Sequence, residues 1–170
     1  QQILVAWRSI QSTGVQDPLR VRWSDAENFM NWTVSNQTAA GSFHIPTGSR
    51  IVGGMQGPQQ GIISTDLDVW LMQYIGGTLV FNFSRVGSGC GWIGPHAAGI
   101  LGGNIFWCGG NNLFMLSGRG VQDIPCPVWD FFFQNLNTAN QEKVQCATNS
   151  LFNEVAWFFP SLNATECDSY

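Results

Sequence analysis

Charge is what this sequence has least of. Only 11% of its 170 residues are charged, with a single lysine (Lys143), six arginines and a formal net charge of −4. Tight nucleic-acid binding needs Lys and Arg clustered against phosphates, and here the cations are scattered. Long apolar runs are missing too. No stretch approaches the ~18 consecutive apolar residues of a membrane-spanning helix, and none reads as a secretory signal. The five cysteines (Cys90, Cys108, Cys126, Cys146 and Cys167) form no C-x-x-C pair and have no close histidine spacing. A zinc site is therefore not expected. An odd, evenly spread set reads as reduced, buried thiols acting as small hydrophobes; two bridges and a free thiol is the alternative.

What the chain does have is glycine and aromatic carbon. Twenty glycines, twelve Phe and eight Trp stand among its residues. A buried aromatic removes roughly 150–250 Å² from water, which at ~25 cal/mol per Å² is a gross ~4–6 kcal/mol per ring. With so few charges to keep it dispersed, a surface this rich in rings is expected to be covered in part by neighbouring subunits.

The stretch from Gly61 to Val86 organises the reading. Gly61-Ile62-Ile63-Ser64 is a short apolar run, Asp66 to Asp68 a polar break, and Val69 to Tyr74 a second run. Gly76-Gly77 supplies a two-residue turn with positive φ. Leu79 to Val86 then alternates, Phe81 and Phe83 on one side, Asn82 and Ser84 on the other. This antiparallel meander recurs. Asn104 to Trp107, the Cys108-Gly-Gly-Asn111 turn and Leu113 to Leu116 repeat its first two strands, and Trp70 aligns with Phe114 at a period of 44. Each copy is preceded by a further strand, Arg50 to Gly54 and Gly99 to Gly103. A third copy opens at Lys143 to Cys146 and continues through Glu154 to Phe159. Four strands in roughly 40–50 residues is the period of β-propeller blades. The fold class expected is all-β: about four blades of four-stranded antiparallel meanders with one short outer helix. Residues 1–170 read as one propeller region, and the ends suggest a fragment or a processed piece of a longer chain.

Around the meanders, Ile3 to Trp7 and Leu19 to Trp23 read as strands, joined by a polar loop from Gln11 to Pro18. Ser24 to Asn28 is a turn cluster. Thr33 to Gly48 reads as a long surface loop carrying His44. Gly87 to His96 is too rich in glycine for a regular strand and reads as the crossing between blades. Val121 to Cys126 is a fourth strand. Pro127 then starts a short helix over Val128 to Leu136, where Trp129, Phe132, Phe133 and Leu136 fall at helical spacing, and Asn137 to Gln141 closes it.

Candidate chemistry is thin. Ser64-Thr-Asp66-Leu-Asp68-Val-Trp70 nearly spells the Asp-box of sialidase-type propellers, S-x-D-x-G-x-x-W, but Asp68 replaces the glycine and Trp70 comes one residue early. The Asp-box is itself a structural turn. Asp66 and Asp68 could hold a cation or form a glycosidase pair, yet the further oxygen ligands and the sugar cleft have no counterpart in the sequence. Cys90 with His96 could be a thiol and its base, but no third orienting residue accompanies them. Gly87 to Gly91 lacks the lysine and the strand-to-helix setting of a phosphate loop. Trp107, Phe114 and Phe132 could stack sugars or bases, though such residues in strands are more often core. Asn31, Asn36, Asn82 and Asn163 begin N-x-S/T sequons, which suggest glycosylation in a secreted eukaryotic protein and otherwise arise by chance in an Asn-, Ser- and Thr-rich chain. No residue is assigned a catalytic, cofactor-binding or metal-binding role.

Four segments resemble a known family: Arg20-Val-Arg-Trp-Ser-Asp25 with Asn31-Trp32, Cys90-Gly-Trp-Ile-Gly-Pro-His96, Ile124-Pro-Cys-Pro-Val-Trp-Asp130, and Phe152-Asn-Glu-Val-Ala-Trp-Phe-Phe-Pro-Ser161. They look like blades of the tail nozzle, or tail hub, proteins of short-tailed bacteriophages, also described as packaged-DNA-stabilisation proteins. The resemblance implies a non-enzymatic virion protein assembled in the host bacterial cytoplasm. It further implies a homo-oligomeric ring, a hexamer, below the portal and adaptor, with tailspikes, fibres or a needle as partners and only weak contact with genomic DNA. Its expected work is to form part of the DNA-exit channel and retain the packaged genome. The competing expectation is a secreted carbohydrate-binding or sialidase-like propeller.

Overall fold

A computed structural model describes residues 2–10, 14–57, 60–77 and 79–170. Thirteen strands and two short helical segments follow in chain order among them. β1 (Val5–Trp7), β2 (Arg20–Trp23) and β3 (Gly41–His44) form a three-stranded sheet. β4 (Ile51–Gln56), β5 (Gly61–Thr65), β6 (Asp68–Tyr74) and β7 (Phe81–Ser88) form a four-stranded one in sequential order. β8 (Ala98–Leu101), β9 (Asn104–Cys108), β10 (Leu113–Ser117) and β11 (Gly120–Asp123) form another. After α1 (Trp129–Asn135) and a 3-10 segment (Thr138–Lys143), β12 (Gln145–Asn149) and β13 (Glu154–Phe158) pair as a hairpin. Every strand pair within these sheets is antiparallel. The chain is all-β apart from its two short helical segments.

The 44-residue register holds in three dimensions. Ile63 pairs with Trp70 across β5 and β6, and Trp107 with Phe114 across β9 and β10. Each of these pairs turns towards the sheet that precedes it in the chain. Ile63 and Trp70 pack with Val21, Trp23 and Ile45 in a first core. Trp107 and Phe114 pack with Val52, Ile62 and Val69 in a second. A third core joins Cys108 and Leu113 to Phe132, Leu136, Val144 and Phe159. The four sheets therefore stack face to face in chain order, and none of the three cores combines residues of the first and fourth sheets.

Several expectations need correction. The loop expected over Thr33 to Gly48 contains β3, which pairs with β2 from Trp23↔Gly41 to Arg20↔His44. Its alternation is easily missed because Phe43 is its one large apolar residue. Gly41 is the position that admits it: a Cβ there would lie 2.4 Å from the Trp23 ring. The third meander copy has two strands, not four, because α1 and the 3-10 segment take up the preceding residues. The first sheet has three. Gly76 and Gly77 do adopt φ of +70°, but the connection runs from Ile75 to Val80 rather than being a two-residue turn, and Ile75 and Gly76 both donate to the Val80 carbonyl. Thr78 and part of the expected Gln11 to Pro18 loop lie outside the described residues. The helix stands where the aromatic spacing predicted it, but Phe132 and Leu136 face inward, so it is as much a core element as an outer one.

The crossing from β7 to β8 shows why glycine is used there. A Cβ on Gly91 would lie 2.5 Å from the Thr65 carbonyl oxygen, and one on Gly94 would lie 2.6 Å from the Glu142 carbonyl oxygen. Backbone passes over backbone at both points, and only a residue without a side chain fits.

Candidate functional site

The turn between β5 and β6 carries the two aspartates with the strongest claim to chemistry. Thr65 shapes it: its hydroxyl accepts the amides of Leu67 (3.2 Å) and Asp68 (2.9 Å). Asp66 then reaches back to the chain entering β4. Its Oδ1 accepts the Ser49 amide at 2.8 Å, and its Oδ2 accepts the Ser49 hydroxyl. Burial works to raise the Asp66 pKa, but the bonds from Ser49 and the Arg50 amide outweigh it and hold the group below its ordinary value. Asp68 is fully buried. Its carboxylate accepts the Gly89 amide at 3.2 Å and Arg85 Nη1 at 3.3 Å. Burial again pushes its pKa up, and bonds from Thr47, Gly89, Arg85 and Ser88 bring it down on balance. Thr47 also accepts the Trp70 indole N–H at 3.2 Å. Ser64, of the same Asp-box-like string, accepts the Trp92 amide at 2.9 Å. The string thus pins the crossing and the approach to β4 onto the second sheet, as a structural turn does. The two carboxylates face different partners.

The same device recurs at positions that no motif marks. Asp168 clasps Ser161 as Asp66 clasps Ser49, with amide and hydroxyl bonds of 2.8 and 2.7 Å. Asp17 is buried beside the first sheet and takes the Leu19 amide (3.1 Å), Arg20 Nε (2.9 Å) and His44 Nδ1 (3.0 Å). Burial opposes ionisation there, yet the Arg20 and His44 bonds bring its pKa down to about 2. Asp17 and His44 are 27 residues apart, and His44 lay in what read as a loop, so nothing local signalled the pair.

Cys90 and His96 do not form a nucleophile and base. Cys90 is buried, and burial, with the Asp68 charge nearby, pushes its thiol up to about 11. His96 is exposed, and its role is in the backbone: its carbonyl accepts the Cys146 amide at 2.8 Å. All five cysteines are unpaired. Burial raises the pKa of Cys108, Cys146 and Cys167 as well, that of Cys146 to about 11. These are protonated thiols at neutral pH, poor nucleophiles and poor metal ligands. Trp107, Phe114 and Phe132 are core residues: Trp107 stacks on Phe114 at 5.8 Å, and Phe132 meets Phe159 at 4.5 Å. Among the described residues no group of three or more His, Cys, Asp or Glu could hold a metal ion, and no helix is long and apolar enough to cross a membrane.

No family model and no curated protein matches the chain. The site has to be read from its geometry.

A groove of about 560 Å³ lies between β1 and the facing side of the second sheet. Trp7, Met55, Ile63, Met72, Tyr74 and Phe81 are among the apolar residues that line it. None of its lining residues is charged, so the carboxylate pair of a glycosidase is not found there. What it can offer is apolar surface beside a strand edge.

Proposed function

We propose that this chain is a passive structural element of a virion, part of the β-propeller nozzle of a short-tailed phage. In this reading its stacked sheets extend into a closed ring of blades, and subunits assemble into a hexamer that lines the DNA-exit channel. Tail adaptor and spike, fibre or needle proteins bind its aromatic and loop surfaces. The observation that carries the reading is where the polar chemistry goes. Asp17, Asp66, Asp68 and Asp168 each bind a backbone amide and fasten one chain segment to another. Such groups stiffen a scaffold, and these four carboxylates are committed to holding it. Scarce, scattered cations fit a wall along which DNA slides without adhering. Cryo-EM of intact particles is the test. Four-stranded sheets stacked around the tail axis are expected; a tail lacking them, or specific glycan-array binding by the purified protein, overturns the proposal.

A further inference from the structure

The longest strand among the described residues has a bare side. β7 has eight residues and ends the second sheet, whereas the corresponding outer strands β3 and β11 have four each. Both chain neighbours of β7 are already placed. β6 pairs with its inner side, and the crossing leads away to β8 in the third sheet.

The Ile75 amide donates to the Val80 carbonyl, and the ladder continues through Gln73↔Asn82 and Leu71↔Ser84. In an antiparallel ladder the N–H and C=O of one residue point the same way, so Val80, Asn82 and Ser84 face β6. Phe81, Phe83 and Arg85 turn theirs to the bare side, where no described backbone group meets them. A long edge of this kind pairs with another strand unless charge, proline or a bulge blunts it. On β7 the bulge comes late, after Arg85, and Phe81 to Ser84 carries neither charge nor proline.

We propose that this edge pairs antiparallel with β7 of a second copy of the chain, across a twofold axis at Phe83. The backbone permits that register. Phe83 meets its own counterpart and Phe81 meets Arg85, all residues whose polar groups point outward, which makes about six N–H···O=C bonds. The side chains are self-complementary too. Asn82 lies opposite Ser84 on the exposed face, polar against polar. On the other face Phe83 lies beside its counterpart, and the Phe81 ring beside the half-exposed Arg85, a cation–π pairing. The one charge of the segment thus meets a ring and never its like, and this match is what makes a second copy the occupant. The contact belongs to the unassembled protein, since neighbours around a single rotation axis meet head to tail. It stands whether or not the phage-tail reading holds.

Analytical ultracentrifugation of the purified protein over a concentration series tests it, with hydrogen exchange read at the Phe81, Phe83 and Arg85 amides. A monomer–dimer equilibrium is expected, with protection of those amides rising as dimer forms. Asn82→Lys with Ser84→Lys sets lysine against lysine twice across the axis and should weaken dimerisation about tenfold. Asn82→Lys with Ser84→Glu sets opposite charges together and should dimerise at least as well as wild type. Both substituted side chains are exposed, and urea titration verifies that each variant folds. A monomer at every concentration overturns the proposal, as does protection of the three amides in the monomer, which means that the chain covers its own edge. Equal dimerisation of the two variants overturns it as well, because the strands then do not meet in this register.

Discussion

The middle of this molecule and its ends obey different rules. In the second and third sheets both faces are covered, and the positions facing the preceding sheet are large rings, Trp70 and Phe114. On β2 Val21 and Trp23 face the second sheet, which leaves Arg20 and Arg22 to the outer face. There they bind Asp17 and the Trp32 carbonyl. At the other end, Val155 and Trp157 of β13 lie half-buried while Phe158 is 41% exposed. The same strand geometry thus takes apolar or polar residues according to whether another of the described sheets packs on that face. Stacked repeats behave this way generally: interior units carry two sticky faces and terminal ones carry one.

The strongest way to break this contrast is to hollow out the middle. Trp107 is fully buried and donates its indole N–H to the Cys90 carbonyl at 2.7 Å. Trp107→Ala should lower stability by about 3–5 kcal/mol, whereas Phe158→Ala should lower it by less than about 1 kcal/mol. Urea titrations of both variants decide it, and equal losses would erase the distinction between interior and end. Glycines sharpen it further. Gly91→Ala drives a methyl into the backbone of the β5–β6 turn and should destabilise by about 1–3 kcal/mol. Gly110→Ala, where a Cβ meets nothing within 4 Å, should stay within about 0.5 kcal/mol of wild type.

Next in size is the acid response of the first sheet. The folded pKa of Asp17, about 2, lies below its ordinary 3.8. Its stabilising effect is therefore complete above that ordinary value and fades as pH falls from 3.8 through 2. Asp17→Asn should lose about 1–3 kcal/mol near neutral pH and show a shallower stability decline between pH 4 and 2. Parallel acid titrations of wild type and variant would refute this by superimposing. The smallest effect concerns the thiols. Cys90 should resist iodoacetamide at pH 8 in the folded protein and react once urea is added, as mass spectrometry of the modified peptide would reveal. Rapid alkylation of the native protein would contradict the buried, protonated thiol.

Legibility in the sequence followed locality. The meander and its echo were readable because each strand is a run of apolar residues bounded by turn residues, and the 44-residue offset pairs ring with ring. The helix was readable from the spacing of Trp129, Phe132 and Leu136. β3 was not, because a four-residue strand with one aromatic carries almost no periodic signal and is held by its ladder to β2. The truncated last sheet was hidden because apolar composition alone does not reveal whether a run finds a partner. Of the site residues, Asp66 and Asp68 stood out by their motif, but their division between separate partners is a tertiary fact. Asp17 with His44 and the groove beside β1 join residues distant in sequence, and Asp168 with Ser161, seven residues apart, belongs to no recognisable motif.

Because each of the three cores is shared only by consecutive sheets, cohesion here is a nearest-neighbour property. A defect should weaken one junction and the sheets flanking it, then fade with distance along the row. Amide exchange should be slowest across β5, β6 and β9, whose side chains supply the first two cores.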